Sequence, residues 1–258
     1  MRSAGLIAAA VRFQLVTLRR SPGDLLVLVT TPLLTVTFLA ILRGAGRHDV
    51  QAYGVLAPGV MALWSIGVLV CGQIIDTERA GGTLELLLAS PAATALVVFG
   101  RIATVTVCSL LAIAEAWLVA LVGFGVLVPV PHPWLFAATL LCGAAATAGW
   151  ATAMAGTFVL ARSTRLFQNA ISYPVFVLGG ALVPVALLPV GLRWLSRLVY
   201  LSWVSQLLRD AVRPAAVAHP LPRLAMVIGL GAVGLGVGLV LVRRVSARVR
   251  ATGEAGLA

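Results

Sequence analysis

The chain alternates long apolar stretches with short polar breaks, and this pattern predicts a bundle of membrane-spanning helices. A helix needs about 20 apolar residues to cross a bilayer. Six stretches approach or exceed that length, with predicted bounds at 25–42, 55–75, 102–128, 134–160, 167–188 and 224–242. Residues 1–22 add an amphipathic helix whose arginines oppose an apolar face. We therefore predict one all-α, six-span transmembrane domain occupying residues 1–258.

The polar break at residues 76–91 has the sequence DTERAGGTLELLLASP. The Gly81–Gly82 pair interrupts the preceding helix, Thr83 is a suitable N-cap and Glu85 favours the first turn of a new helix. Pro91 ends that helix after roughly two turns, or about 10 Å. It is too short to span a bilayer and too apolar for water, so we expect it to dock into a groove on another protein.

The fifth stretch is broken repeatedly, at Pro174, Gly179–Gly180, Pro184 and Pro189. Irregular backbone at membrane depth requires cover from protein or a water-filled cavity. Residues 191–213 then alternate arginine with leucine, tryptophan and tyrosine, which predicts short interfacial or re-entrant helices with aromatic side chains at headgroup level.

Composition agrees with a membrane protein. Hydrophobic residues make up 60% of the chain and charged residues 10%, against about 25% charged in soluble domains. The net charge is +11, all nineteen basic residues are arginines, and they lie at the ends of the apolar stretches. This placement favours a bilayer surface as partner over nucleic acid. Twelve arginines fall on the side of the termini and seven on the other, so we predict both termini to be cytoplasmic.

Glu115 is the single acidic residue well inside a predicted span. A charge there costs about 2.5–3.5 kcal/mol on insertion scales and requires a partner or a cavity. One hypothesis places Glu115 on a transport pathway, facing a cationic amphiphile or a proton. The other makes it a protonated side chain hydrogen-bonded to a neighbouring helix. Trp64, Trp117 and Trp150 also lie within spans, where packing is favoured over an aromatic pathway.

Glycines at 229, 231, 234, 236 and 238 line the sixth stretch. The spacing Gly234-x-x-x-Gly238 permits close helix contact. We favour packing within one subunit over a seam between subunits.

Two segments resemble ABC-2 type exporter permeases. The first is the pattern E-R-x-x-G-T-L-E-x-L-L-x-[ST]-P, matched by Glu78, Arg79, Gly82, Thr83, Leu84, Glu85, Leu87, Leu88, Ser90 and Pro91. The second is S-[YF]-P-x-F-x-x-[SG]-G-x-x-x-P-x-x-x-L-P, matched by Ser172, Tyr173, Pro174, Phe176, Gly179, Gly180, Pro184, Leu188 and Pro189. The similarity is strongest to the daunorubicin-resistance-like branch.

The resemblance implies that 76–91 is a cytoplasmic coupling helix and 1–22 an elbow helix. The coupling residues would be those of the first pattern from Glu78 to Leu88. It also implies an outer gate in the broken fifth span and the interfacial hairpin that follows. Glu115 joins this predicted pathway only under the first of the two hypotheses above. Two ATPase subunits would bind ATP and magnesium, and a second permease, identical or paralogous, would complete the exporter. The chain itself would hold no cofactor or metal and catalyse nothing.

The expected activity is efflux of a hydrophobic or amphiphilic drug, antibiotic or lipid-like molecule across a bacterial cytoplasmic membrane, giving antibiotic resistance. The alternatives are an exporter of lipid-linked polysaccharide, a membrane-embedded lipid-modifying enzyme and a non-ABC structural membrane protein. An enzyme would need clustered acids, histidines or metal ligands, whereas the three histidines are scattered.

Overall fold

The computed structural model describes residues 26–47, 50–80, 100, 106, 109–158 and 164–252. Within these residues the secondary structure is helical, without β-strands. A 3-10 turn at Val185–Leu187 accompanies eight helices: α1 (Leu26–Gly44), α2 (Gln51–Ala80), α3 (Leu110–Phe124), α4 (Pro133–Phe158), α5 (Thr164–Leu178), α6 (Val190–Ser196), α7 (Tyr200–Ala211) and α8 (Pro220–Thr252). The predicted elbow helix at 1–22 lies outside the described residues, as do positions 81–91 of the predicted coupling segment.

Of the helices that the structure describes, three are long and apolar enough to cross a membrane, within Gln51–Val68, Pro133–Phe158 and Pro220–Val245. Helices α1, α3 and α5 supply shorter apolar segments. Large apolar side chains remain exposed on several of these helices, among them Leu33, Val122 and Ile228. Exposed apolar faces of this extent are expected where lipid replaces water. The described structure is therefore a multi-pass helical membrane protein.

Two helices end earlier than the spans predicted for them. The third span was expected to reach Val128, but α3 ends at Phe124 because Gly125 adopts a left-handed conformation with φ +65°. Its N–H bonds the Leu121 carbonyl at 3.0 Å, which caps the helix. The fifth span was expected to reach Leu188, but α5 ends at Leu178, just before the glycine pair. Both helices stop where glycine allows a turn that other residues resist.

The centre of the fold is the contact between α4 and α8. A Cβ built on Gly231 would lie 2.6 Å from Ala146 Cα, and one on Gly238 would lie 2.6 Å from the Ala153 nitrogen. Only glycine permits backbones to approach this closely. Trp150 adds a hydrogen bond from Nε1 to the Leu230 carbonyl, 3.1 Å away. The glycine-bearing face of α8 is thus covered by α4 of the same chain.

Helix α7, which was predicted to be interfacial or re-entrant, is largely enclosed by other helices. Tyr200 is only 2% exposed, and Leu201, Val204 and Leu208 are buried beside it. The helix packs against α2, α4 and α8. Its apolar residues recur at helical spacing and form a stripe wide enough to be enclosed by three helices. The Tyr200 hydroxyl is satisfied there by Thr147 Oγ1 at 2.7 Å.

Candidate functional site

The predicted coupling residues Glu78 and Arg79 lie in the last turn of α2. The remaining ones, Gly82, Thr83, Leu84, Glu85, Leu87 and Leu88, lie outside the described residues. A helix of 30 residues is about 45 Å long. Tyr53, near the first turn of α2, therefore lies at the opposite end of the bundle from Glu78 and Arg79.

At the Tyr53 end, the chain between α5 and α7 forms a compact turn that depends on two buried glycines. Gly180 has φ +68°, a conformation that side chains disfavour. A Cβ on Gly179 would lie 2.8 Å from Leu201 Cδ2, and one on Gly180 would lie 2.8 Å from Val185 Cγ2. Both positions therefore require glycine, because one needs left-handed backbone and both lack room for a methyl group.

Three successive carbonyl groups, from the last residue of α5 into the turn, accept hydrogen bonds from side chains. Ser196 Oγ donates to the Leu178 carbonyl at 2.6 Å, and Ser205 Oγ donates to the Gly179 carbonyl at 2.7 Å. The next carbonyl, on Gly180, accepts from the Arg209 guanidinium. An unpaired carbonyl is costly where water is scarce. These three donors explain how the broken helix persists inside the protein.

Sequence reasoning missed these donors as a group. Ser202, Ser205 and Arg209 recur at spacings of three and four, so they share one face of α7. That polar stripe, opposite an apolar one, was a usable signal. It did not reveal the partners, because the carbonyls that Ser205 and Arg209 bond lie 26 and 29 residues earlier in the chain.

The predicted gate residues separate into two groups. Gly179 and Gly180 are buried in the turn, and Pro184 lines a cavity beside it. Pro189 precedes the first turn of α6 with φ −52°. Tyr173, in contrast, is 69% exposed on α5, and Pro174 beside it is exposed inside the same helix. The structure brings the glycines and Pro184 together, whereas Tyr173 and Pro174 lie on the outer surface of α5.

The cavity has a volume of about 580 Å³ and a basic lining. Four arginines line it: Arg193, Arg197, Arg209 and Arg213. Asp210 is its one carboxylate among the described residues, and this side chain is paired with Arg223 at 2.7 Å. Burial lowers the pKa of Arg209 to about 10, although Asp210 opposes the shift. The Arg209 guanidinium therefore stays charged at neutral pH.

Fixed contacts orient the arginines. Arg193 donates from Nε to the Leu188 carbonyl and from Nη2 to the Ala186 carbonyl, each at 2.7 Å. The guanidinium carbons of Arg209 and Arg213 lie 5.2 and 5.3 Å from the Tyr53 ring centroid. These cation–π contacts connect the cavity lining to the first turn of α2.

Glu115 lies elsewhere, on α3, which packs against α1 and α2. It is not in the cavity lining. Its Oε2 atom is buried without a hydrogen-bond partner among the described residues, as are Trp117 Nε1 and Thr139 Oγ1. The Trp117 ring stacks on Phe136 of α4 at 5.1 Å. The structure therefore leaves three unpaired polar atoms on α3 and α4, and it does not join Glu115 to the gate residues.

The other two span tryptophans have ordinary packing roles. Trp64 Nε1 donates to Ser172 Oγ at 3.2 Å and links α2 to α5. Gln168 adds a second link, from Nε2 to the Val68 carbonyl at 2.8 Å. Trp150 bonds a backbone carbonyl of α8, as described above. In the part of the chain that the structure describes, no group of three metal-ligating side chains occurs.

The described helices, with their apolar spans and exposed apolar faces, define the class of the protein as a multi-pass helical membrane protein. The family model described as ABC-2 type transporter matches residues 5–212. The chain belongs to this family. It is a membrane permease subunit of an ABC transporter, a class whose members in general function with an ATPase partner. The match covers the family and not its drug-exporting branch.

Searches of curated proteins and of solved structures give no significant match.

Proposed function

We propose that this permease belongs to an ATP-driven exporter of hydrophobic or amphiphilic molecules, such as drugs, antibiotics or lipid-like compounds. Two permeases and two ATPase subunits form the complex in a bacterial cytoplasmic membrane, with both termini of the chain in the cytoplasm. The ATPases bind ATP and magnesium. The observation that carries the proposal is the single helix α2, which leads from Tyr53 at the cavity to Glu78 and Arg79.

In the proposed mechanism, residues 76–91 dock into a groove on the ATPase. Closure of the ATPase dimer displaces this segment, and α2 transmits the displacement to the turn at Gly179–Gly180. Such coupling requires two discrete arrangements of packed elements, since proximity alone transmits nothing. The turn has the properties of one such element, because α6 and α7 hold it through a few hydrogen bonds.

The docking step is tested by co-expressing the permease with an ABC ATPase from the same operon. Co-purification and ATP hydrolysis are measured for the parent and for a Leu84→Asp, Leu87→Asp variant. We expect the variant to lose most hydrolysis in the complex, because two charges would enter an apolar groove. The matched control places aspartate at Ala247, an exposed position near the end of α8. Equal hydrolysis by the parent and the docking variant would contradict the mechanism.

Glu115 is proposed to face the transported molecule. Its buried Oε2 has no partner among the described residues, which disfavours the alternative of a helix-to-helix hydrogen bond. Glu115→Gln keeps the shape and removes the charge. We expect transport of cationic amphiphiles to fall relative to neutral ones, while complex formation with the ATPase is retained. Unchanged transport of both classes would exclude Glu115 from the pathway.

A further inference from the structure

The arginine-lined cavity has an excess of positive charge that the described part of the chain leaves uncompensated. Among the described residues, none of Arg193, Arg197 and Arg213 forms a salt bridge, and Asp210 is engaged by Arg223. Four cations in one partly enclosed cavity repel each other, and burial strengthens that repulsion because the surroundings are less polar than water. An anion that enters the cavity would relieve it.

The chemistry of the lining selects among anions. A guanidinium group presents several N–H donors in a planar fork, which matches phosphate oxygens and bonds them in pairs. Arg193 and Arg209 are already oriented by backbone carbonyls, so little side-chain freedom would be lost on binding. The volume of about 580 Å³ admits a phosphate with its alcohol substituent and is larger than a simple ion requires.

The surface beside the cavity is apolar. Four apolar side chains on the 3-10 turn, on α6 and just after α6 are each more than 60% exposed and alternate with residues that line the cavity: Leu187, Val190, Trp194 and Leu198. Arg197 joins the two regions, since its guanidinium lies 4.4 Å from the centroid of the Trp194 ring. A ligand that fits both regions carries an anionic head and a hydrocarbon tail.

We propose that this cavity binds the phosphodiester headgroup of an anionic phospholipid, whose acyl chains cover the exposed face of α6. The site lies at the end of α2 opposite the coupling residues Glu78 and Arg79. Bound lipid would hold α6 and α7 together at the turn that contains Gly179 and Gly180. This role is separate from the nature of the exported molecule.

The test uses the full chain, delipidated in a neutral detergent. Native mass spectrometry and thermal unfolding follow titration with phosphatidylglycerol, phosphatidylcholine, diacylglycerol and inorganic phosphate. We expect phosphatidylglycerol to bind at least about tenfold more tightly than phosphatidylcholine, because its headgroup has no cation to repel the arginines. The preference should shrink as salt rises. This measurement needs no variant.

The variant Arg197→Gln, Arg213→Gln removes two charges from the cavity, and neither side chain holds a backbone carbonyl of the turn. Its matched control, Arg43→Gln, Arg244→Gln, removes two charges from exposed positions elsewhere. Phosphatidylglycerol affinity should fall by about tenfold or more in the first variant and change less than about twofold in the control.

Several outcomes would overturn the proposal. Equal binding of phosphatidylglycerol by the cavity variant and the control would show that the arginines do not bind the lipid. Equal binding of diacylglycerol would make the contact purely apolar. Stabilisation by inorganic phosphate that phosphatidylglycerol does not exceed would assign the cavity to a free phosphate compound. A dimer that forms through α6 and excludes lipid would assign the apolar face to a second copy of the chain.

Discussion

Substitution of Gly238 by alanine provides a direct test of the α4–α8 contact. The new methyl carbon would lie 2.6 Å from the Ala153 nitrogen, 2.7 Å from the Thr152 carbonyl carbon and 3.0 Å from Ala153 Cα. All three are backbone atoms, so no side chain can rotate away. Ordinary contact begins at 3.4 Å, and the two helices would therefore have to separate by nearly 1 Å at this point.

Overpacking of this kind costs about 1–3 kcal/mol. Alanine also favours the helix by about 1 kcal/mol over glycine, which partly masks the clash. Gly236 gives the matched control, because a Cβ there meets nothing within 4 Å while the gain in helix propensity is the same. The difference between Gly238→Ala and Gly236→Ala therefore isolates the contact, at about 1–3 kcal/mol in the free energy of unfolding.

The two variants are compared by thermal unfolding in one detergent, followed by tryptophan emission. At roughly 2–4 °C per kcal/mol for a chain of this size, Gly238→Ala should unfold about 2–12 °C below Gly236→Ala. Trp150, bonded to α8 through the Leu230 carbonyl, reports locally on the same contact. Equal unfolding temperatures for the two variants would refute the close approach of α4 and α8 at Gly238.

The remaining predictions concern buried hydrogen bonds. Thr147→Val should cost about 1–3 kcal/mol in unfolding free energy, because it leaves the Tyr200 hydroxyl buried and unpaired, whereas Tyr200→Phe should cost only about 0.5–1.5 kcal/mol. The double variant should lose less than the sum of the single losses in the same unfolding assay; strict additivity would contradict a direct bond. Ser205→Ala should cost about 1–3 kcal/mol by leaving the Gly179 carbonyl without its side-chain donor, and Ser205→Thr should restore most of it. Trp117→Phe should leave stability unchanged or raise it, because the ring stack is kept and an unpaired buried N–H is removed; a loss above about 2 kcal/mol would indicate a hidden partner for that N–H.

Apolar patterning predicted the helical membrane fold because each helix of the bundle must cover its backbone with apolar side chains. The glycine spacing on α8 likewise indicated close packing, since Gly234 and Gly238 share one helix face. The sequence pattern did not predict the position of α7 in the bundle. Alternating arginine with leucine and aromatics fits both an interfacial helix and one enclosed by other helices, and only the tertiary contacts of Tyr200 distinguish them.

The candidate site was predictable only in part. The glycine pair Gly179–Gly180 and Pro184 predicted an interruption of the fifth helix. Their partners come from sequence positions far away: Arg209 reaches Gly180 across 29 residues, and Tyr53 meets Arg209 and Arg213 from another helix. A single sequence shows that a residue is polar, but it does not show which distant group the side chain will satisfy.

The length of α2 has a mechanical consequence. Tyr53 and Arg79 are on one helix and are separated by about 39 Å along its axis. A tilt of about 10° about the Arg79 end would displace the Tyr53 ring sideways by about 7 Å, if the helix stays straight. Tyr53 is the aromatic surface against which two guanidinium groups rest. A change in the tilt of α2 would therefore change the width of the basic cavity. A fluorescent probe beside Tyr53 would report tilting that originates at the Arg79 end of the helix.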